Sequence, residues 1–239
     1  MFDRLSDILR NHGADIVAAG DLSSTPPEPR NGLSRALVIG EALDPRIIAG
    51  IANGPTWEYC HEYRRANALL SELARLAARM LTDAGYRADP LEPTSEGFDK
   101  ATLSARFSHK MAATRAGIGW IGKNDLLITP GFGSAVRYAT VLTDADIGTG
   151  TPVDRSKCGS CTACVDACPV HAPSGKLWDV SLVREDFFDV RACYRTASAY
   201  NEANGFGHTI CGICIAVCPW TKKYIESAAS GTAPGENAS

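Results

Sequence analysis

Eight of the nine cysteines in this chain form one pattern of two cysteine motifs with a single cysteine between them. The first motif holds Cys158, Cys161, Cys164 and Cys168, the second holds Cys211, Cys214 and Cys218, and Cys193 lies between them. Cys168 and Cys218 are each followed by proline. A 4Fe-4S cluster needs four thiolates at the corners of a tetrahedron, and two-residue spacers let three of them come from one tight loop. The pattern therefore predicts two 4Fe-4S clusters.

The fourth ligand of each cluster must come from outside its loop. In the bacterial ferredoxin arrangement, the cysteine that precedes proline ligates the cluster of the other motif. One predicted ligand set is therefore Cys158, Cys161, Cys164 and Cys218. The other is Cys168, Cys211, Cys214 and Cys193, where Cys193 is assigned because it is the remaining cysteine between the motifs. Cys60 fits neither motif and is expected to be a buried thiol.

Structural zinc and disulfides are the alternatives to iron-sulfur clusters. Paired C-x-x-C motifs with tetrahedral thiolates also describe zinc ribbons. A zinc site, however, gains nothing from a third cysteine two residues further on, nor from a cysteine-proline pair at the end of both motifs. The spacing favours clusters over zinc.

Composition limits the classes of protein to consider. The chain has 239 residues, 45% of them hydrophobic, and a net charge of -3, so no global basic field attracts polyanions. No stretch approaches the roughly 20 apolar residues of a membrane span. The first twelve residues carry four charged side chains and do not form a signal peptide pattern. Because thiolate-ligated clusters are assembled in reducing compartments, we expect a cytoplasmic protein without membrane contact.

Apolar periodicity predicts an alternating arrangement of helices and strands before the cysteines. Strands are predicted at 15–19, 35–43, 87–93, 126–129 and 135–143, and helices at 57–85 and 108–116. The glycine- and proline-containing stretch at 144–157 is expected to be a linker. The predicted organisation is an α/β domain at 1–150, a ferredoxin-like double 4Fe-4S domain at 151–224, and a small, polar, disordered tail at 225–239.

A dense glycine segment precedes the first cysteine motif. Glycines allow positive φ and let main-chain groups approach a flat or phosphorylated ligand, but they also make tight turns, so both readings stay open. The segment AGIGWIGKNDLLITPGFGS, followed by CGSCTACVDACP and CGICIAVCPW, resembles the epoxyqueuosine reductase family, whose relatives are the reductive dehalogenases. The resemblance is strong from Ala112 to Trp220 and loose before it.

The resemblance implies a fold, a cofactor and a reaction. It implies an α+β protein in which a nitroreductase-like α/β domain is followed by a small bacterial-ferredoxin-like double 4Fe-4S domain, with cobalamin bound between them. The clusters would reduce cobalt, which removes an epoxide oxygen or a halide from a small-molecule substrate. The residues expected to contact cobalamin or its phosphate-bearing tail are Gly117, Gly119, Trp120, Gly122, Lys123 and Ser134.

Two departures from the family pattern limit this transfer. Characterised members carry an acidic proton donor in an Asp-Ser/Thr-Gly-Pro type motif, and the matching position here is near Leu103, so the acid is missing. Asp99 or His109 could replace it, although an exposed charge or a helix cap explains either residue as well. The chain also lacks the family's C-terminal helical repeat domain, which together with the acidic balance argues against tRNA as a partner.

Three readings of the function remain open from the sequence. The favoured one is a cobalamin-dependent iron-sulfur reductase that receives electrons from an external low-potential donor such as ferredoxin or flavodoxin. The second is a ferredoxin-type electron-transfer protein with a partner-docking domain. The third is a reductase that holds flavin, or no organic cofactor, instead of cobalamin.

Overall fold

The computed structural model describes residues 1–93 and 99–231. In chain order its helices and strands are α1 (Phe2–Asn11), β1 (Ile16–Asp21), β2 (Arg35–Ala42), α2 (Pro45–Ala49), α3 (Trp57–Asp83), β3 (Ala88–Leu91), α4 (His109–Arg115), β4 (Trp120–Ile121), β5 (Leu127–Ile128), β6 (Val136–Thr143), α5 (Ala163–Asp166), α6 (Val190–Asn204), α7 (Ile213–Ala216) and α8 (Pro219–Ser230). The fold therefore mixes helices and sheets, as predicted.

These elements form two compact units that interleave along the chain. The first unit comprises Met1–Ala42, Arg65–Ile118 and Arg137–Val153, and the second comprises Leu43–Arg64, Gly119–Val136 and the chain from Asp154 onward. The predicted boundary at residue 150 differs from this division. The linker-like composition of 144–157 indicates that the chain passes from one unit to the other there. It cannot show that Leu43–Arg64 and Gly119–Val136 belong to the same unit as the cysteine-rich segment.

The first unit is built on a four-stranded sheet with the order β1-β2-β6-β3. β1 pairs with β2 in antiparallel fashion, with Ile16 opposite Gly40, and β3 pairs with β6 in the same fashion, with Ala88 opposite Thr143. β2 is buried from Ala36 to Glu41, as the uninterrupted apolar run of its sequence predicts for a central strand.

One face of this sheet carries the core of the first unit. Leucines of α1 and of the second half of α3 pack on alternating residues of β1, β2 and β6. The buried core residues are Leu5, Leu9, Ala14, Val17, Ala19, Leu37, Ile39, Leu70, Leu73, Ala74, Ala77, Ala78, Leu81, Ala139, Val141, Ala145 and Ile147. On the other face α4 approaches closely, because a Cβ on Gly20 would lie 2.7 Å from the backbone nitrogen of Ala116.

The second unit holds the cysteine motifs on short helices. α5 and α7 each begin within a cysteine motif, and α8 begins at Pro219, directly after Cys218. A separate apolar cluster of Ile121, Ala172, Trp178, Phe187 and Phe188 packs beside them. α8 is tied to the rest of the unit by the Tyr224 hydroxyl, which donates to the carbonyl of Leu43 at 3.0 Å.

Most elements predicted before the cysteines are confirmed, with small changes at their ends. Six helices of the described residues had no counterpart in the sequence prediction: α1, α2, α5, α6, α7 and α8. The prediction of disorder from residue 225 is wrong for 225–230, which continue α8, and residues 232–239 lie outside the described part of the chain. Within the described ranges, no helix is both long and apolar enough to cross a membrane. The nitroreductase-like and cytoplasmic assignments stay predictions.

Candidate metal centre

Four cysteines from the two motifs line one cavity of the second unit. The cavity includes about 450 Å³ of space not filled by protein atoms, part of it open to solvent. Its lining residues are Lys123, Asn124, Ile128, Cys158, Cys161, Cys164, Cys218, Pro219 and Trp220. The cysteines among them are the members of the first predicted ligand set. The structure therefore brings the cysteine before Pro219 to the loop of the other motif, as the ferredoxin arrangement requires.

Local structure places these four thiols around the cavity. A turn brings the amide of Cys161 to the carbonyl of Cys158 at 3.2 Å, α5 carries Cys164, and Cys218 is the N-cap of α8. Burial, followed by the charges of Cys158, Cys218 and Cys161, raises the pKa of the Cys164 thiol to about 11. Protein alone thus disfavours the Cys164 thiolate, and bound iron is the group that would stabilise it.

The second predicted ligand set is also grouped in space. Burial raises the pKa of the Cys214 thiol, and the next contributions come from Cys193 and Cys211, with Cys164 and Cys168 contributing less. Cys168 and Cys193 pack together against the apolar cluster around Phe187. The amide of Ala172 donates to Sγ of Cys168 at 3.3 Å. Cys193 therefore lies near the three cysteines with which the sequence grouped it.

Two consecutive residues of the glycine segment reach the two cysteine motifs. Nζ of Lys123 donates to the carbonyl of Cys161 at 2.9 Å. Nδ2 of Asn124 donates to the carbonyl of Cys214 at 3.3 Å. Both side chains are buried. The segment is thus a support of the metal centre, a role that the sequence analysis missed because spacing alone does not show what a loop packs against.

The glycines of this segment are needed for packing against the protein itself. A Cβ on Gly117 would lie 2.5 Å from the carbonyl oxygen of Thr151, and one on Gly119 would clash with the carbonyl oxygen of Ile128. A Cβ on Gly122 would meet the side chain of Ile128. These contacts show that protein atoms fill the space where side chains would lie at the three glycines. Close packing and turns account for the glycines, and their contact with cobalamin stays a prediction.

Ser134 and Trp120 complete the residues predicted to bind the cofactor. The amide of Ser134 donates to Oγ1 of Thr221 at 3.1 Å, which ties the glycine segment to α8. The ring of Trp120 packs edge-on against that of Trp220, with centroids 5.0 Å apart. Its indole N–H is buried and has no hydrogen-bond partner in the described part of the chain. Trp120 therefore keeps a buried side-chain donor available for a bound group.

His109 is held in place as a neutral imidazole. Nε2 lies 3.0 Å from the carbonyl of Glu92, which can only accept, so Nδ1 accepts from the hydroxyl of Thr140 at 2.8 Å. Burial, with a smaller contribution from the charge of Arg137, lowers the pKa of His109 to about 4. Both ring nitrogens are engaged within the first unit. This geometry argues against His109 as a proton donor and for a structural role.

Asp99 is exposed and already occupied by its own loop. Its carboxylate accepts from the amide of Ala101 at 2.8 Å and from the hydroxyl of Thr102 at 2.9 Å. These hydrogen bonds, with the amide of Ala101 contributing most, lower the pKa of the carboxyl. A carboxylate that is stabilised in its charged form is a poor proton donor. The structure therefore favours the turn-forming alternative for Asp99.

Cys60 is not among the residues that line the cavity of the first ligand set. It is buried in α3, and its Sγ lies 3.4 Å from the carbonyl of Phe206, to which it donates. The expectation of a buried thiol is confirmed.

Comparison with known families defines the class of the second unit. Residues 157–221 match the family described as a 4Fe-4S double cluster binding domain. The chain is therefore an iron-sulfur protein, and the zinc alternative is set aside.

Relatives extend the comparison along the chain. The epoxyqueuosine reductase of Synechococcus sp. (strain CC9605) is 31% identical over 232 residues, which cover 90% of this chain and 65% of the relative. That of Atelocyanobacterium thalassa (isolate ALOHA) is 34% identical over 125 residues, or 48% of this chain and 38% of the relative. The chain is similar to the epoxyqueuosine reductases, as its motifs indicate, and spans 38% to 65% of the length of these relatives.

Solved structures share the fold at low sequence identity. A reductive dehalogenase whose structure suggests a mechanism for B12-dependent dehalogenation matches with a TM-score of 0.69 and 18% identity, over 94% of this chain and 33% of the other. An epoxyqueuosine reductase with an epoxyqueuosine-modified tRNA-Tyr stem loop matches with a TM-score of 0.59 and 20% identity, over 92% of this chain and 65% of the other.

The tRNA complex overturns one expectation. The prediction against tRNA as a partner is wrong, because the chain is similar to epoxyqueuosine reductases and an epoxyqueuosine reductase of the same fold has been solved with a tRNA stem loop. The prediction relied partly on net charge, and the net charge of a chain does not describe its local surfaces.

Proposed function

We propose that this chain is an iron-sulfur oxidoreductase that delivers single electrons, through two 4Fe-4S clusters, to the reductive cleavage of a substrate bond. The observation that carries the proposal is the cavity in which three cysteines of the first motif meet Cys218 of the second. The names of the relatives support the same class of activity. When bound, the clusters would supply one-electron transfer, and the chain would hold and position them.

The ligand sets are part of this proposal. Cys158, Cys161, Cys164 and Cys218 hold the first cluster, and Cys168, Cys193, Cys211 and Cys214 hold the second. The apolar cluster around Phe187 keeps water from one side of the second set. α5 and α7 carry Cys164 and Cys214 in their first turns, and the hydrogen bonds from Lys123 and Asn124 hold the two loops in place.

The electron acceptor that we propose is a corrinoid. The support is the shared fold with a reductive dehalogenase described as B12-dependent. Among the residues predicted to contact it, Trp120 has a buried side-chain donor without a partner in the described part of the chain and is the first candidate to test, and the glycines, Lys123 and Ser134 remain proposed contacts. When bound, a corrinoid supplies the metal that reacts with the substrate.

The substrate that we propose to test first is an epoxide carried on a tRNA nucleoside. The family of the chain and the tRNA stem loop bound to a protein of the same fold support this choice. An organohalide is the second substrate class, because a dehalogenase shares the fold. Neither Asp99 nor His109 is proposed as the proton donor. A low-potential ferredoxin or flavodoxin remains the proposed electron source.

Cofactor retention tests the proposal directly. The chain is purified without oxygen, reconstituted with iron and sulfide, incubated with cobalamin, desalted, and examined by its visible spectrum. We expect about eight irons per chain, from two clusters of four, together with retained corrinoid absorption. Full iron without corrinoid would contradict the corrinoid part and favour the electron-transfer or flavin alternative.

A variant pair sharpens the test. Trp120→Phe removes the indole N–H but keeps an aromatic ring, and we expect it to retain less corrinoid than the unchanged chain. Trp178→Phe, a substitution in the apolar cluster of the same unit, is the matched control. Equal retention by both variants would remove Trp120 from the proposed site.

A further inference from the structure

Lys123 is a buried cation with an unusual set of neighbours. Only 5% of its surface is exposed, and the hydrogen bond from its Nζ goes to a carbonyl, that of Cys161. In the described part of the chain no carboxylate forms a salt bridge with it. A buried ammonium is strongly disfavoured unless an anion compensates it. The protein itself therefore supplies hydrogen bonding to Lys123 but no counter-charge.

The groups that could supply the counter-charge line the same cavity as Lys123. Lys123 lines it together with Cys158, Cys161, Cys164 and Cys218. Four thiolates around a four-iron, four-sulfide core leave a net negative charge, and reduction adds one more electron. In a site of low polarity, a nearby positive charge stabilises the more negative state more strongly. Net charge and hydrogen bonding are among the factors that set cluster potentials.

We infer that Lys123 is the buried counter-charge of the cluster held by Cys158, Cys161, Cys164 and Cys218, and that it raises the reduction potential of this cluster above that of the second one. Lys123 is thus a positioning residue for electron flow. The inference rests on the ligand sets given under Proposed function. It gives Lys123, which was predicted from the sequence to contact cobalamin or its phosphate-bearing tail, a role at an iron-sulfur cluster.

Two other lysines near the cavity provide an internal comparison. Nζ of Lys223 lies 5.0 Å from the ring centroid of Trp220, and Nζ of Lys157 lies 5.7 Å from that of Trp120. Both lysines are exposed, whereas Lys123 is buried. Water and salt screen exposed charges far more than buried ones. Their effect on the cluster should therefore be much smaller, although they carry the same charge.

The experiment compares charge with shape at position 123. Lys123→Gln keeps an N–H donor for the carbonyl of Cys161 but removes the charge, Lys123→Arg keeps both, and Lys223→Gln is the matched control at an exposed lysine. Each reconstituted full chain is titrated with dithionite, iron is counted, and the two midpoint potentials are followed by electron paramagnetic resonance.

The expected result is a selective shift. In Lys123→Gln the reduction equilibrium of one cluster should become at least tenfold less favourable, which is about 59 mV for a one-electron couple. The other cluster should change less, and Lys123→Arg and Lys223→Gln should stay close to the unchanged chain. Loss of one cluster in Lys123→Gln but not in Lys123→Arg would also support the inference, because arginine keeps the positive charge that glutamine lacks.

Other outcomes would overturn it. Unchanged potentials in Lys123→Gln with full iron would show that the charge is not felt by the cluster. Loss of iron in both variants would show that the shape of the side chain, and not its charge, is required. A different failure, about four irons in the unchanged chain, would reject the proposed ligand sets instead, because two clusters require about eight.

Discussion

The two cysteine motifs share the C-x-x-C spacing with which they begin but not their surroundings. Each begins with a Cys-Gly-x-Cys turn, and the glycines, Gly159 and Gly212, both have positive φ, at 55° and 90°. A Cβ on Gly159 would meet nothing within 4 Å, whereas one on Gly212 would lie 2.5 Å from Cδ1 of Ile51 and 3.1 Å from the ring of Tyr59. The first turn is open and the second is packed. Equal spacing therefore does not make the two sites equivalent.

The charged and apolar neighbours differ in the same way. The first site has the buried ammonium of Lys123, and its cavity is partly open to solvent. The second has Cys168 and Cys193 packed against Trp178 and Phe187. An apolar wall disfavours the added negative charge of a reduced cluster. We therefore expect the second cluster to be the harder one to reduce, and electrons to pass from it to the first.

The largest test of this comparison removes one ligand from each set. Cys193→Ser should lose the second cluster and keep the first, and Cys218→Ser should do the reverse, because each thiolate completes a different set of four. Iron content should fall to about four per chain in either variant, and the remaining resonance signal should differ between them. Cys60→Ser is the control and should keep both clusters. A Cys193→Ser variant that retains both would overturn the eighth ligand.

The next test uses the two equivalent glycines. Alanine at a positive φ costs about 1–2 kcal/mol of stability, and this should be the whole effect of Gly159→Ala. Gly212→Ala adds overpacking against Ile51 and Tyr59, about 1–3 kcal/mol more. We expect thermal unfolding at a lower temperature and faster cluster loss in Gly212→Ala. Equal behaviour of the two variants would mean that the packed turn can relax.

A smaller test concerns the pH dependence of the stability of the folded chain, to which His109 contributes. The pKa of His109 in the folded chain is about 4, below its ordinary value of 6.5. The unfolded chain therefore takes up the proton first as pH falls. The stability from neutral His109 is complete above pH 6.5 and is lost progressively down to about pH 4, amounting to about 3 kcal/mol.

Urea unfolding at pH 7.5 and 4.5 measures this loss. His109→Gln should lose less stability between the two pH values than the unchanged chain does, since glutamine does not titrate. The exposed His12 provides the control substitution, His12→Gln. The same pH dependence in His109→Gln as in the unchanged chain would assign the acid sensitivity elsewhere.

The sequence predicted the parts of the site that depend on spacing. Two-residue spacers and the cysteine-proline pairs predicted which cysteines group together, and the cavity joins Cys218 to the first motif as expected. Local signals also predicted α4, whose N-cap Ser108 accepts from the amide of Met111 at 3.3 Å. These features are set by neighbours in the chain or by the demands of one cofactor.

The features that the sequence did not predict depend on long-range packing. The density of glycines did not show that Gly119 packs on Ile128, or that Ser134 meets Thr221 of α8. From the sequence, Lys123 was predicted to contact cobalamin or its phosphate-bearing tail. In the structure it lines a cavity together with four cysteines. The interleaved units likewise depend on contacts between distant stretches, which composition does not reveal.

We propose that one chain holds two 4Fe-4S clusters in unequal surroundings. The most direct measurement is a redox titration of the anaerobically reconstituted chain, followed by electron paramagnetic resonance together with iron and sulfide analysis. We predict about eight irons per chain and two separate midpoint potentials, the higher one belonging to the cluster that Cys218→Ser removes. About four irons, or two clusters with the same potential, would contradict the account.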